Sequence, residues 1–475
     1  MQKSTPSLKK NFILSSFWQI LQIISPFITA PYISRVLGPD GIGVYSYTKS
    51  IQMYFSLVAV LGTAAYGTRE IARSRDDKNK YSQIFWEIET LSIITSSGVI
   101  IIWFLLSIFY INEYQIIFLI LSMNIFSSMF DISWLYAGLE QFKYIVAKNS
   151  IFQILSIILQ FIFVRQKSDL NIYIFIMAGT ALAGNLSMWI SLHRFVRKPD
   201  FKCFQLLFHL KETLVYFIPA VATSLYTFLD KFLIGVLTDK AEENGFYEQA
   251  TQIIGMGKVI TFVSINQVVG SRIAYLHKEK NFSEIKERID YSCRYILCVG
   301  MAVAFGIAAI SQTFIPWFFG EKFFGTVVLV KMLCPLIVII GISNLLGTHW
   351  YTPAGYRRQS AIFVIFGAIL NILFTFMLIP RLNAIGAVIG TFSAEFIIMI
   401  FYVIFCSKNL LFGQIFRNGW RNFIAGILMF IIVNFMNYWN ISELIRLFIQ
   451  FFCGGAIYIF SLLLMREPFL SGLMF

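Results

Sequence analysis

Charged residues are scarce in this sequence. Asp, Glu, Lys and Arg together make up 13% of the 475 residues, whereas a soluble domain averages about 25%. Hydrophobic residues make up 57% of the chain, and its mean hydropathy is +0.72. Because the uncharged residues form long runs, this composition predicts an integral membrane protein and excludes a soluble globular domain.

Motifs of catalysis and metal binding are also missing. The sequence contains no Walker loop, no H-E-x-x-H motif and no G-x-S-x-G motif. Its six cysteines form no C-x-x-C pair and its four histidines are far apart, so we predict neither disulfides nor a metal site. Asp76 and Asp77 stand between Arg75 and Lys78, which is typical of a solvated charge cluster. We therefore predict no catalytic residues, no metal and no cofactor.

Basic residues are present in excess and give a net charge of +13. They lie between apolar runs, which is typical of topology signals and lipid contacts rather than of a nucleic-acid-binding surface. Of the 38 Lys and Arg residues, 27 fall on one side of the predicted spans, seven on the other side and four within spans. The positive-inside rule then predicts that both termini and the loops at 69–80, 194–211 and 272–294 are cytoplasmic.

Apolar runs of about 20 residues are typical of membrane-spanning helices. The sequence holds fourteen such runs, and the loops between them are short. The predicted fold class is therefore an all-α integral membrane protein with about 14 transmembrane helices. The runs cover roughly residues 12–34, 46–68, 88–111, 114–137, 145–164, 170–192, 213–236, 246–271, 294–318, 326–350, 359–380, 383–406, 421–439 and 444–465.

Part of this pattern occurs twice, about two hundred residues apart. A Gly-x-Tyr tripeptide opens the second run at 43–45 and the eighth run at 245–247. These two runs end in Gly-Thr-Arg at 67–69 and in Gly-Ser-Arg at 270–272. Two such copies with the same predicted orientation are typical of a transporter built from parallel repeats. We predict two pseudo-symmetric six-helix lobes and a C-terminal appendage: residues 1–200 with helices 1–6, residues 201–409 with helices 7–12, and residues 410–475 with helices 13 and 14.

Polar and charged residues inside the apolar runs are the candidate functional residues. A Lys, Arg or Asp at the centre of a membrane helix costs about 2.5–3.5 kcal/mol, so it usually faces a water-filled cavity or a partner. On helices 1, 2, 7 and 8 the polar side chains recur with helical spacing and fall on one face. The candidates for a substrate cavity are Gln19, Gln22, Ser46, Lys49, Ser50, Thr223, Asp230, Glu248, Thr251, Gln252, Lys258 and Lys331.

Several short stretches resemble a known bacterial family. The most specific is Pro-Tyr-Ile-Ser-Arg-Val-Leu-Gly-Pro-Asp-Gly-Ile-Gly-Val-Tyr at 31–45. The others are Thr-Arg-Glu-Ile-Ala at 68–72, Trp-Leu-Tyr-Ala-Gly-Leu-Glu at 134–140 and Thr-Pro-Ala-Gly at 352–355. Together they resemble the Wzx-type polysaccharide repeat-unit flippases, which belong to the multidrug/oligosaccharidyl-lipid/polysaccharide exporter superfamily and serve O-antigen, capsule and exopolysaccharide synthesis.

The resemblance implies a fourteen-helix, two-lobe transporter in the bacterial cytoplasmic membrane. Its cargo would be an undecaprenyl-diphosphate-linked oligosaccharide, moved from the inner to the outer leaflet by alternating access during surface polysaccharide biosynthesis. The resemblance further implies a largely cationic cavity and H+ or Na+ as a coupling ion. The expected partners are this cargo, membrane lipid and other polysaccharide assembly proteins, with no nucleic acid.

Lys49 and Lys258 carry the sharpest hypothesis about this cargo. They lie on matching faces of matching helices, with an offset of seven residues, or roughly 10 Å along the membrane normal at about 1.5 Å per residue. We hypothesise that both line one central cavity and meet the anionic diphosphate. Alternatively, each lysine is neutralised by a carboxylate on a neighbouring span, and the pair has only the structural role of holding the helices together.

Two other functions stay open. An antiporter for small organic cations, in the same superfamily, would favour acidic side chains, whereas Lys49, Lys258 and Lys331 outnumber the clearly mid-span acids. A membrane polymerase or ligase of the same pathway would be an enzyme with a large outer loop bearing paired Arg or His residues, which this sequence lacks. We therefore expect a transporter rather than an enzyme.

Overall fold

The computed structural model describes residues 8–109, 113–199, 204–263, 281–406, 412–439 and 441–469, and also residues 266, 269, 270, 272, 273, 275, 276 and 279. Helices dominate this part of the chain, and it contains no strand. In a membrane, a helix satisfies every backbone N–H and C=O group within its own segment, so apolar sequences fold this way. The predicted all-α integral membrane fold is confirmed.

The helices follow one another with short connections. In the first half of the chain they are α1 (Leu8–Val60), α2 (Thr63–Ser74), α3 (Lys78–Phe109), α4 (Gln115–Met129), α5 (Ser133–Gly138), α6 (Phe142–Phe163), α7 (Leu170–Ile190), α8 (Leu192–Phe195) and α9 (Leu206–Leu237). In the second half they are α10 (Ala241–Lys258), α11 (Phe282–Phe319), α12 (Gly325–Leu333), α13 (Leu336–Leu346), α14 (Arg357–Leu382), α15 (Ala384–Cys406), α16 (Phe412–Phe435) and α17 (Glu443–Leu464). Two π-helical segments, Val259–Val263 and Gly347–Tyr351, extend α10 and α13.

The predicted membrane spans coincide with these helices. Within the described residues, ten helical segments are long and apolar enough to cross a membrane. They correspond to ten of the fourteen predicted runs. The other four runs are 12–34 and 46–68, which lie on α1 and the start of α2, 213–236, which lies on α9, and 246–271, which begins on α10. The chain is therefore a multi-pass membrane protein.

Helix α1 contains the first predicted run and most of the second, and has a break between them. Only Gly38 departs from helical geometry, with φ 71° and ψ 176°. A residue with a side chain rarely adopts this left-handed φ, whereas glycine does so at little cost. Gly38 thus separates α1 into two helical segments, and the second segment carries Ser46, Lys49 and Ser50.

Contacts between Cα atoms divide the chain into two compact units, Met1–Phe232 (unit 1) and Leu233–Phe475 (unit 2). The division falls inside α9, so the two ends of this helix belong to different units. The predicted lobe boundary at residues 200 and 201 lies before α9 and stays a prediction, as does the six-helix content of each lobe.

In unit 1, α1 packs against α3, α4 and α6, while α7 packs against α4 and α6. The indole of Trp103 on α3 lies against Phe55 of α1 and Phe118 of α4, with ring centroids 4.9 Å and 5.1 Å apart. Its N–H donates a hydrogen bond to the Phe118 carbonyl oxygen at 2.8 Å, so the polar end of this buried ring has a partner. These contacts hold α1 in place within the unit.

In unit 2, α14 packs along α15, and α11 packs against α13, α16 and α17. The Tyr458 hydroxyl of α17 donates to the Cys298 carbonyl oxygen of α11 at 2.7 Å. Met429 of α16 is buried in the same apolar cluster as these two residues. The two C-terminal helices are therefore packed into unit 2 through α11.

Each unit contains the same capping turn. At 136–141 and again at 351–356, the N–H of the sixth residue donates to the carbonyl oxygen of the first residue, at 2.7 Å and 2.8 Å. The fifth residue is left-handed in both turns, Glu140 with φ 57° and Gly355 with φ 87°. This geometry satisfies carbonyl groups at a helix end. The turns belong to two of the stretches that carry the family resemblance.

The glycines that end the second and eighth runs also have matching surroundings. A Cβ at Gly67 would overlap the indole ring of Trp134 on α5, and a Cβ at Gly270 would lie 3.0 Å from the imidazole ring of His349. Each glycine therefore allows close packing against an aromatic ring. This need explains why glycine stands at the same position, the end of the run, in both copies of the repeat.

Replacing Gly67 with Ala is expected to destabilise unit 1, because the added methyl group overlaps the Trp134 ring. Overpacking of this kind costs about 1–3 kcal/mol. Gly98→Ala is the matched control, since Gly98 is also helical and has open space where its Cβ would be. There the better helix propensity of Ala should be neutral or stabilising. Thermal unfolding of both purified variants would test this, and equal unfolding temperatures would contradict it.

Candidate functional site

The second segment of α1 carries three of the predicted residues on one face. Ser46 and Ser50 are buried, and Lys49 is half-buried between them. The Lys49 ammonium lies 5.1 Å from the centroid of the Tyr45 ring, a cation–π distance that offsets part of its desolvation. Among the described residues, no carboxylate lies within ion-pair distance of Lys49. Within this part of the chain, the positive charge of Lys49 therefore has no acidic neighbour to neutralise it.

A network of amides and hydroxyl groups continues from this face toward α4. The Gln52 amide donates to the Ser56 hydroxyl oxygen at 2.5 Å, and the Asn124 amide donates to the Gln52 amide oxygen at 3.5 Å. Ser128 bonds to Ser56 at 3.3 Å. Gln52 and Ser56 are buried, so the interface between α1 and α4 contains a buried polar hydrogen-bond network. Neutral groups of this kind match the hydroxyl groups of a carbohydrate.

Asp230 lies on α9 and is buried within unit 1. It interacts electrostatically with Tyr54 of α1. The Tyr54 ring also packs edge-on against Phe228, with centroids 6.4 Å apart. Asp230 thus lies against α1, the helix that carries Lys49. Its partner Tyr54 is about one and a half turns further along α1 than Lys49.

In unit 2, the predicted polar face lies on α10. Glu248, Thr251 and Gln252 are half-buried there, and the Thr251 hydroxyl donates to the Glu248 carbonyl oxygen at 2.9 Å. Lys258 is the last residue of α10, directly before the π-helical segment. It interacts electrostatically with Glu395, a buried residue of α15. Lys258 therefore has an acidic neighbour, in contrast to Lys49.

Lys331 lines a cavity of about 540 Å³ inside unit 2. The walls come from α11, the α12–α13 junction, α15 and α16, and Lys331 is the only charged residue among them. The other lining residues are Leu297, Met301, Ala304, Phe305, Ala308, Cys334, Pro335, Val338, Ile339, Ile342, Met399, Gly419, Trp420, Phe423 and Phe430. The cavity thus combines apolar walls with a single cation.

The predicted residues fall into separate groups in the structure. Ser46, Lys49, Ser50 and Asp230 belong to unit 1. Glu248, Thr251, Gln252 and Lys258 belong to one helix of unit 2, and Lys331 belongs to a cavity of that unit. Gln22 is exposed, and the side chains of Gln19 and Thr223 lie outside the described residues. That Lys49 and Lys258 line one cavity stays a prediction.

The structure adds a buried cluster that the sequence did not suggest. The His209 ring on α9 bonds through Nε2 to the Glu87 carboxylate of α3 at 2.6 Å, and through Nδ1 to the Tyr66 hydroxyl of α2 at 2.8 Å. All three side chains are buried, and Gln83 donates to the second oxygen of Glu87 at 3.0 Å. This chain of hydrogen bonds ties the start of α9 to α2 and α3. The sequence offered one signal of this cluster, which is the position of the charged residue Glu87 just before the third apolar run.

A second unpredicted group lies among α4, α6 and α7. The Lys148 ammonium donates to the Asn185 amide oxygen at 2.8 Å, and the Asn185 amide donates to the Ser127 carbonyl oxygen at 2.7 Å. Both Lys148 and Asn185 line a polar pocket of about 280 Å³. Lys148 falls inside the fifth apolar run, so its charge was a visible signal. In the described part of the chain, no three His, Cys, Asp or Glu side chains could hold a metal ion.

These features define an all-α, multi-pass membrane protein with lysines and polar faces inside its helices. The chain belongs to the polysaccharide biosynthesis protein family, whose model matches residues 8–270. It is 26% identical over 407 residues to a Shigella dysenteriae protein named "Putative O-antigen transporter", covering 83% of this chain and 98% of that protein. An Escherichia coli K12 protein of the same name is 24% identical over 420 residues, covering 86% and 99%.

The fold is similar to a solved structure described as "Lipid II flippase MurJ, inward closed conformation". The TM-score is 0.76 at 16% identity, and the match covers 96% of this chain and 99% of that one. At this identity the similarity concerns the fold alone. The family match and the two relatives confirm the resemblance to the Wzx-type flippase family.

Proposed function

We propose that the protein is a flippase for undecaprenyl-diphosphate-linked oligosaccharide repeat units. It moves them by alternating access from the inner to the outer leaflet of the bacterial cytoplasmic membrane during surface polysaccharide biosynthesis. The names of the two relatives support this proposal. The observation that carries it is the unit 2 cavity, because its apolar walls and its single lysine suit a lipid with an anionic head.

Each part of such a cargo has a chemical counterpart in the chain. The polyprenyl chain is apolar, so it can lie against apolar walls such as those of the Lys331 cavity without leaving buried polar groups unsatisfied. The diphosphate is anionic, and lysine ammonium groups form charge-assisted hydrogen bonds with phosphate oxygens. The glycan carries many hydroxyl groups, for which we propose the polar faces of α1 and α10 as binding surfaces, with Lys49 and Lys258 for the diphosphate.

The orientation and the coupling ion belong to the same proposal. The 27-to-7 distribution of Lys and Arg places both termini in the cytoplasm. A gradient of H+ or Na+ drives the conformational cycle, and other polysaccharide assembly proteins supply and consume the lipid-linked units. The relatives are named as transporters, which favours transport over a polymerase or ligase activity. Lys49, which has no acidic partner among the described residues, and the Lys331 cavity favour an anionic cargo over an organic cation.

Deletion of the gene is expected to abolish the finished surface polysaccharide while lipid-linked repeat units stay on the inner leaflet. The reason is that a flippase acts after the unit is assembled and before it is polymerised. Lipid extracts analysed by mass spectrometry, with a complemented strain as control, would measure the unit. A deletion strain that cannot make the lipid-linked unit at all would contradict transport and favour an enzyme.

A further inference from the structure

Glu89 on α3 is the most deeply buried acidic side chain that the proposed function leaves without a role. Its exposed fraction is 1%. Within the described part of the chain, its Oε1 atom has no hydrogen-bond partner. Glu87, two residues earlier on the helix, points to another side and bonds to His209 instead. Glu89 is therefore not part of the hydrogen-bonded cluster at α2 and α9.

In unit 1, one charged group interacts with this carboxyl group, and a second charged group interacts with the first. Asp131, in the connection between α4 and α5, interacts electrostatically with Glu89, and it also interacts with Lys148 of α6. Asp131 accepts a hydrogen bond from the Ser133 backbone N–H at 2.9 Å, and Lys148 donates one to Asn185 at 2.8 Å. From α1 and α2, which also pack on α3, no charged group in the described residues interacts with Glu89.

If Glu89, Asp131 and Lys148 are all ionised, their charges do not balance, because there are two carboxylates and only one ammonium group. Lys148 offsets one carboxylate, and Asp131 is the one that interacts with it. An ionised Glu89 would then be a second negative charge in a buried place, and the cost of burying such an unpaired ion is several kcal/mol. A neutral Glu89 removes that charge, and a carboxylate becomes neutral by binding one proton.

A proton fits this place better than a sodium ion does. A hard metal cation needs several oxygen ligands, and Asp131 is the one acidic group that interacts with Glu89 among the described residues. A proton needs only one carboxyl oxygen. Buried Asp and Glu residues in membrane helices commonly carry protons in pumps and transporters.

We propose that Glu89 is a proton-binding site that couples the transport cycle to the proton gradient. In the conformation described here, Glu89 is a neutral carboxylic acid. When a conformational change admits water to α3, the O–H bond breaks, the proton passes to water and the carboxylate becomes solvated. Rebinding of a proton then favours return to the conformation described here. This inference rests on the proposed function, since coupling requires a transported cargo.

Infrared spectra of the purified full-length protein in lipid nanodiscs test the site without any cargo. At neutral pH we expect a C=O stretching band of a protonated carboxyl group that is absent in Glu89→Gln, which has the shape of the neutral acid. Asp76→Asn removes an exposed carboxylate and should leave the band unchanged. The same spectrum in the wild type and in Glu89→Gln would overturn the proposal. A band that disappears when Na+ replaces K+ at constant pH would assign the site to sodium instead.

Export measurements in cells then test coupling. Glu89→Gln should reach the membrane in normal amount but lower surface polysaccharide to the level of the deletion strain, whereas Glu89→Asp keeps a titratable group and should retain part of the export. Normal export by Glu89→Gln would overturn the coupling role. If the deletion strain itself keeps its surface polysaccharide, the flippase function fails, but the infrared result on Glu89 still stands on its own.

Discussion

Replacing Lys49 with Gln is expected to stop surface polysaccharide export without lowering the amount of protein in the membrane. Lys49 has no carboxylate within ion-pair distance among the described residues and contacts the Tyr45 ring, so no structural ion pair is lost. A charge-assisted hydrogen bond to a phosphate contributes about 1.5–3 kcal/mol, which corresponds to roughly a tenfold to hundredfold weaker interaction with the cargo. Lys49→Arg keeps the charge and should restore part of the export.

Lys258 provides the comparison, because it interacts with Glu395. Lys258→Gln should lower the amount of protein in the membrane, since Glu395 loses its nearby positive charge inside unit 2. The double variant Lys258→Gln/Glu395→Gln should recover abundance. Immunoblots of membrane fractions and quantification of surface polysaccharide would measure both effects. Normal export by Lys49→Gln/Lys258→Gln would refute a role of these lysines in binding the cargo.

Filling the unit 2 cavity is expected to block export as completely as replacing Lys49 with Gln does. Ala308 of α11 lines the cavity and is buried, so Ala308→Trp places a large ring in the space proposed for the polyprenyl chain. The cavity of about 540 Å³ can hold this ring without unfolding the unit, and the protein should reach the membrane in normal amount. The expected result is an accumulation of lipid-linked repeat units and a loss of surface polysaccharide.

Ala456→Trp is the matched control for the filled cavity. Ala456 is an exposed residue of α17, where an added ring contacts lipid and should leave export unchanged. Lys331→Leu tests the charge separately, because it keeps the cavity apolar and removes only the cation. Export at the wild-type level in Ala308→Trp, with normal abundance, would show that the cavity does not receive the cargo.

The sequence was sufficient for the position of the helices. Apolar runs of membrane length have few alternatives to a helix, because unpaired backbone groups are too costly in lipid. For this reason ten of the fourteen runs correspond to helical segments long and apolar enough to cross a membrane among the described residues, and the glycine at 38 accounts for the break in α1. The family resemblance was equally visible in short stretches such as 31–45, since these keep residue types in fixed order.

The candidate site could be predicted only in part. Helical spacing predicts that Ser46, Lys49 and Ser50 share one face of α1, because a face is a local property of one helix, and their role in a substrate cavity stays a prediction. It could not tell that Lys258 lies near Glu395 while Lys49 has no carboxylate within ion-pair distance in the described part of the chain. It also gave no sign that His209, 122 residues from Glu87 in the chain, bonds to its carboxylate.

The sequence by itself determined the membrane class, the helices and the charges that they carry, since each depends on residues that are neighbours in the chain. Only the tertiary structure decided which of those charges have partners. Burial and pairing depend on distant helices packing together, as α11, α13 and α16 do around Lys331 and as α6 and the α4–α5 connection do near Glu89. The electrostatic free energy of a buried group is set by these neighbours, and no periodicity within one helix contains that information.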